Sequence, residues 1–240
     1  MNILKIIICI VIVSLLLTAI QLIIVKIAIR KVTFDVQPWQ KIQPNSLFKV
    51  LFAGDSSAVG RGLENNVFSV AGLFSHDFPQ AHVENHSQNG LKLRGLGDIL
   101  SRIQDKKFDL AILQIGGNDI MNFTSLDQIR RDHQRVLELT KNIAKKIVIL
   151  HSGDIGEAKL FIWPFTWIFS WRSQKVRDIY MQRQDDRVVY IDILTRNKGV
   201  DLNDDYATDN IHLNAKGYAL WYAYIKDELT RLKWLPLGVH

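Results

Sequence analysis

Ser56 stands in the run Gly54-Asp55-Ser56-Ser57, directly after the apolar stretch Phe48 to Ala53. That stretch reads as a buried strand. A hydroxyl placed where a parallel strand ends lies where open α/β sheets put their ligands, so Ser56 is a candidate nucleophile. The same four residues also suit an ordinary turn or a helix N-cap, and the assignment needs partners elsewhere. Asp209-Asn210-Ile211-His212 supplies two. A carboxylate and an imidazole three residues apart can meet within one turn of chain. The Asp would then hold one ring nitrogen and leave the other free to take a proton from a serine. Read by itself, that tetrad is also a plain helix start, capped by Asp209 with a solvated His212.

Two glycine-bearing turns add hydrogen-bond donors. Gly116-Gly117-Asn118-Asp119 follows the apolar run Phe108 to Ile115. Its glycines let backbone approach a ligand closely, and the Asn118 side chain can aim an N–H at a developing negative oxygen. The competing reading is a turn capped by Asn118 or Asp119. Gly90, within Ser87-Gln88-Asn89-Gly90, offers a backbone N–H, or is simply a turn glycine. Asp55 and Asp119 read as scaffolding of their own loops. Arg61 and Arg94 fall near the expected cleft, within reach of an anionic substrate group.

The elements that must position these residues follow from periodicity. Strands are expected over 48–53, 81–85, 108–115, 146–150 and 187–194, and helices over 67–78, 96–103, 125–141, 173–184 and 213–232. Ser125 with Gln128 has the spacing of a capping box. Strands alternating with helices argue a parallel sheet covered on both faces. Ser56 then follows the first strand, Gly90 the second, Asn118 the third, and Asp209 with His212 the fifth. One cleft at the C-terminal strand ends would gather all of them.

This combination resembles the SGNH (GDSL-like) hydrolase family over nearly the whole chain after residue 46. Gly54-Asp55-Ser56-Ser57 matches its first block, Gly90 its second, Gly116-Gly117-Asn118-Asp119 its third and Asp209-Asn210-Ile211-His212 its last. The resemblance implies an α/β fold, a flavodoxin-like three-layer α/β/α arrangement with a five-stranded parallel sheet. It implies a carboxylic ester hydrolase with Ser56 as nucleophile, His212 as general base and Asp209 as its orienter. The Ser56 and Gly90 N–H groups and the Asn118 side chain would form the oxyanion hole. Ser57 stands where the family often has Leu, and Leu213 where Pro often follows the His, which bears on substrate subgroup more than on chemistry. An acyltransferase or a carbohydrate O-deacetylase would use the same residues. The rival of another class is a non-catalytic binding protein that keeps the fold.

The front of the chain is different in kind. Ile6 to Val25 carries no charge and is long enough to cross a bilayer core as a helix. It is long for a signal-peptide core and lacks a clear small-x-small cleavage site. An uncleaved transmembrane anchor over 1–31, a linker over 32–46 and a hydrolase domain over 47–240 are therefore expected. Cationic residues are slightly denser after the apolar run than before it. This leans toward a cytoplasmic domain, by a margin too small to fix the side of the membrane.

Net charge is +6, yet the Lys and Arg are scattered and no nucleic-acid motif accompanies them, so no nucleic-acid partner is expected. Attraction to anionic lipid is a simpler use of the charge. The lone Cys9 lies inside the apolar run and forms no disulfide within the chain. No Cys-x-x-Cys, His-Glu-x-x-His or phosphate-binding loop occurs, so neither metal nor cofactor is expected; His82 and His86 lie on or near a short strand, where their spacing does not build a helical metal pair. The segment Leu160 to Trp171 is densely aromatic. It reads either as core or as an apolar lip, with Phe161, Trp163, Trp167 and Trp171 as candidate contacts for an acyl chain or a membrane surface. The expected partners are thus a small-molecule or lipid ester and the membrane itself.

Overall fold

The computed structural model describes residues 3–31, 36–202 and 204–235; the first part of the expected linker, residues 32–35, and Pro236 lie outside them. The elements are, in order, α1 (Ile3–Lys31), β1 (Lys49–Gly54), α2 (Ser56–Val59), α3 (Val70–Asp77), β2 (His82–Asn85), α4 (Leu93–Ser101), β3 (Phe108–Gln114), α5 (Gly117–Met121), α6 (Leu126–Ile143), β4 (Ala144–Leu150), α7 (Phe165–Met181), β5 (Val188–Tyr190), α8 (Ile193–Arg196) and α9 (Ala215–Arg231). The five strands form one sheet in the order β2-β1-β3-β4-β5, all parallel.

Strands buried on both faces read as unbroken apolar runs, and the packing shows why. Leu51, Ala53, Ala111, Leu113, Ile147 and Ile149 enter one core with residues of α4, α6 and α7. Their neighbours Val50, Phe52, Leu110, Ile112, Val148 and Leu150 enter a second core with residues of α3 and α9. The alternation of successive side chains thus gives a helix–sheet–helix sandwich. Because β1 sits between β2 and β3, the loops leaving β1 and β3 diverge at the switch point, and a crevice opens there.

Several boundaries differ from the sequence reading. The expected helix over 67–78 is split, since Asn66–Phe68 is a 3₁₀ turn and Ser69 caps α3 by accepting the Gly72 N–H. Ser125 caps α6 by accepting the Gln128 N–H, but Gln128 does not reach back; its side chain donates to Asp132 instead, leaving half of the capping box. Helix α7 begins at Phe165 rather than at Ser173, so most of the aromatic segment is helix. The last strand ends at Tyr190 because Asp192 caps α8, accepting the Thr195 N–H.

Residues 39–46 lie along the outer edge of β2. Lys41 pairs with Val83 in an antiparallel bridge, Trp39 Nε1 donates to Ser75 Oγ at 2.9 Å, and Gln43 N donates to His82 Nδ1 at 3.0 Å. Helix α1 outruns the expected apolar core at both ends. Its segment Ile3–Gln21 is long and apolar enough to cross a membrane, with a mean hydropathy of 3.0, and is open to its surroundings until it reaches the buried Gln21.

His82 and His86 both turn to one carboxylate, Glu84, at 3.2 and 3.0 Å, and Lys106 Nζ joins at 2.5 Å. Partial burial works to raise the Glu84 carboxyl, but hydrogen bonds from Lys106, His86 and His82 outweigh it and lower it to about 2 from an ordinary 4.5. A carboxylate depressed on folding stabilises the native state above its unfolded pKa, and that contribution fades as pH falls toward the folded one. The window is therefore pH 4.5 down to about 2. Thermal unfolding should show a steeper fall in Tm between about pH 5 and about pH 3 for the wild type than for Glu84→Gln. Parallel curves would mean that the cluster contributes nothing.

Candidate active site

Ser56 opens α2, a single turn wedged directly after β1. Asp55 caps it, its Oδ1 accepting the Ser57 N–H at 3.0 Å and the Ser57 hydroxyl at 2.8 Å. Burial pushes the Asp55 carboxyl up despite those bonds. The tightness of the turn rests on Gly54, where a Cβ would come 1.9 Å from the Gln114 carbonyl oxygen of β3. Asn85, at the end of β2, ties the far side of the turn by donating to the Ala58 carbonyl at 3.1 Å.

Asp209 and His212 lie in the loop before α9. Asn214 caps that helix, accepting from the Lys216 and Gly217 N–H groups, while its amide donates to the Asp204 and Tyr206 carbonyls. One residue thus fixes both the loop and the helix start. Asp209 is fully buried. Its Oδ1 accepts the backbone N–H groups of Ile211 at 3.1 Å and His212 at 3.0 Å, and its Oδ2 meets His212 Nδ1 at 2.5 Å. The other ring nitrogen, Nε2, lies 3.0 Å from Ser56 Oγ. Burial alone would raise the Asp209 carboxyl; the bond to His212, its charge and the two backbone N–H groups reverse that and hold it below its ordinary value. An Asp kept ionised against Nδ1 fixes the tautomer that leaves Nε2 free to accept a proton.

Asn118 sits in α5, and three contacts fix that short helix. Asp119 Oδ2 accepts the Leu93 N–H at 2.9 Å. Asn118 Nδ2 donates to the Leu91 carbonyl at 3.1 Å, which occupies one of its two N–H groups. Buried Arg172 of α7 donates to the Ile120 carbonyl at 3.0 Å and the Thr124 carbonyl at 2.6 Å, satisfying the chain end of the helix. Among the described residues, no protein acceptor takes the backbone N–H of Ser56 or of Gly90.

Ser56, Gly90, Asn118 and His212 all line one cavity of about 630 Å³, with Asp209 behind His212. Arg61 lines it too; Arg94 is exposed and does not. Of the aromatic candidates, Phe161 lines the cavity, whereas Trp163, Trp167 and Trp171 do not. Helical geometry accounts for the difference. Within α7, residues four apart share a face, so Phe165 and Phe169 turn inward and Trp167 and Trp171 turn outward; Phe161, in the chain before the helix, packs on Phe169 with ring centroids 4.6 Å apart. The four-residue spacing of the phenylalanines was the available signal. Two further lining residues, Thr18 and Gln21, come from α1; with Ser14 they form a polar stripe at four- and three-residue spacing in an otherwise apolar run, which was the available signal.

The sequence profile of the GDSL-like Lipase/Acylhydrolase family matches residues 52–220. The chain belongs to this family. No curated protein sequence matches it. Among solved structures, the chain resembles a lipolytic G-D-S-L family member from Veillonella parvula, at TM-score 0.62 and 14% identity over 77% of this chain and 99% of that one. It resembles the acetylxylan esterase Axe2 from Geobacillus stearothermophilus at TM-score 0.56 and 20% identity, over 80% and 98% of the two chains. TesA aligns at TM-score 0.59 and 19% identity, over 77% and 99%. Identities this low speak to the fold. Family membership is what supports esterase or acylhydrolase chemistry for this GDSL-like chain.

The loop after α2 presses on the histidine. At Gly62 the backbone has φ +102°, and a Cβ would come 2.3 Å from the Leu213 carbonyl oxygen and 3.0 Å from His212 Cβ. In Gly62→Ala the His212 loop must shift. A misplacement of about 1 Å can cost on the order of 100-fold in rate. Ester hydrolysis should therefore fall by about that factor in kcat/KM, with the sheet still intact by circular dichroism. Unchanged kinetics would show that the contact does not position the imidazole.

Proposed function

We propose that this protein is a membrane-anchored serine hydrolase of carboxylic esters, with Ser56 as nucleophile, His212 as general base and Asp209 as the group that orients it. The observation that carries the proposal is the unbroken path from Asp209 Oδ2 through His212 to Ser56 Oγ, at 2.5 and 3.0 Å, opening into the cavity. A serine hydroxyl is a poor nucleophile at neutral pH and needs a base within hydrogen-bond reach. His212 Nε2 takes the Ser56 proton as Oγ attacks the ester carbonyl. The tetrahedral oxyanion is held by the Ser56 and Gly90 N–H groups and by the second N–H of Asn118. Collapse expels the alcohol, which leaves with the proton from His212, and Ser56 carries the acyl group. Water then attacks that acyl-enzyme, again giving its proton to His212, and the acid departs with Ser56 restored.

The inner lining of Phe161, Phe165 and Phe169 suits a long acyl group better than an acetyl one. Helix α1, apolar over a bilayer's thickness, supports attachment to a membrane.

A fluorophosphonate probe should label the wild-type protein on Ser56 and leave Ser56→Ala unlabelled. Absence of label on folded wild-type protein would remove the hydrolase reading. Asn118→Ala should keep the label but lower kcat by about 100- to 1,000-fold, the usual effect of losing one oxyanion donor. A change confined to KM would instead make Asn118 a ground-state binding residue.

A further inference from the structure

Helix α1 does more than leave the domain. Gln21 is almost fully buried, and both ends of its amide are bonded to backbone: Nε2 donates to the Leu160 carbonyl at 3.2 Å, and Oε1 accepts the Ile162 N–H at 3.1 Å. The amide thus clamps the apolar helix to the strand of chain that leads into α7. One turn earlier, Thr18 reaches the cavity together with Gln21. The helix is therefore a wall of the same space that holds Ser56 and His212.

The position of this clamp along the helix matters. The uncharged run Ile6 to Val25 has 20 residues, about 30 Å at 1.5 Å per residue, which matches a hydrocarbon core of about 30 Å. Gln21 lies about 6 Å from the C-terminal end of that run, close to the level where hydrocarbon gives way to headgroups. At that level the domain displays an apolar collar: Phe123, Ile162, Trp163 and Trp167 are exposed by 52, 36, 74 and 68%. Phe123 also lines the cavity, so collar and cavity mouth are continuous. A contiguous exposed apolar patch marks an interaction site, and Trp is the side chain suited to the bilayer boundary.

We propose that the Gln21 clamp seats this collar in the bilayer leaflet that α1 enters, so that the cavity opens to the membrane and the acyl chain of a bilayer-resident lipid ester passes into it along α1. The seating stands on the collar and the clamp alone; the nature of the substrate rests on the ester-hydrolase reading above. Full-length protein reconstituted in phosphatidylcholine vesicles, with acyl chains brominated near the ester end, tests the seating. Bromine quenches tryptophan only at close range, so the quenched share of emission should fall at least twofold in Trp163→Phe/Trp167→Phe. An unchanged share would overturn the seating.

The route is read in the same vesicles from the rate on a palmitoyl p-nitrophenyl ester relative to the acetyl one. Gln21→Leu keeps the helix apolar but removes both clamp bonds, and should lower that ratio at least fivefold. An unchanged ratio would overturn the role of α1 as a wall. Failure of the wild type to turn over either ester would count against the hydrolase reading, while the quenching result would still decide the seating.

Discussion

Ser56 and His212 stand 156 positions apart in the chain, and their side chains meet at 3.0 Å. Such a contact cannot be local in origin. It requires that the loop leaving β1 and the loop entering α9 be held to within a few tenths of an ångström across the whole sandwich. Most of the polar interactions around the crevice serve this constraint. Asp55 and Gly54 compress the turn bearing the serine against β3, while Asn214 and Asp209 brace the turn bearing the imidazole. Tyr218, buried on α9, closes the gap between the two by donating its hydroxyl to the Arg61 carbonyl at 2.8 Å.

Behind the crevice lies a layer of buried polar groups. His151, just past β4, accepts the Gly153 N–H on Nδ1 at 2.9 Å, and burial lowers its pKa to about 4. His133 of α6 stacks on Tyr180 with ring centroids 4.1 Å apart, and burial, helped by Arg183, lowers its pKa to about 3. Both imidazoles are neutral near neutral pH and behave as flat packing groups, not as bases. The Tyr180 hydroxyl donates to the Ile115 carbonyl at 3.2 Å, just where the chain turns into the loop bearing Asn118. Packing and polarity thus meet under the floor of the site.

How much of this was legible in the sequence depended on how local each cause was. The central strands were clear because burial on both faces leaves an apolar run with no interruption, as in Leu110 to Leu113. Ser56 and Asn118 were legible as blocks directly after β1 and β3, and Asp209 with His212 as a block before the closing helix rather than at the end of β5, from which α8 separates them; short-range backbone geometry governs each block. Boundaries failed where a single side chain decided them. Ser69 cut the expected helix over 67–78, and Asp192 ended the expected strand over 187–194. The aromatic segment was legible in kind but not in direction, because facing depends on helical phase, and the start of α7 at Phe165 sets that phase. The part played by Thr18 and Gln21 was overlooked rather than hidden: Ser14, Thr18 and Gln21 recur at four- and three-residue spacing and mark one face of an otherwise apolar helix.

The pairing of Lys41 with Val83 has a consequence for how neighbouring copies behave. An unpaired outer strand offers a template on which another polypeptide can add itself, and proteins that leave one bare invite aggregation. Here residues 39–46 cover that margin with the chain's own backbone and with Trp39 packed beside Ser75. On the proposed membrane attachment, copies held in a thin layer meet one another far more often than they would in bulk water. For such a population, the covered β2 margin withholds from a passing copy the bare strand on which it could add itself.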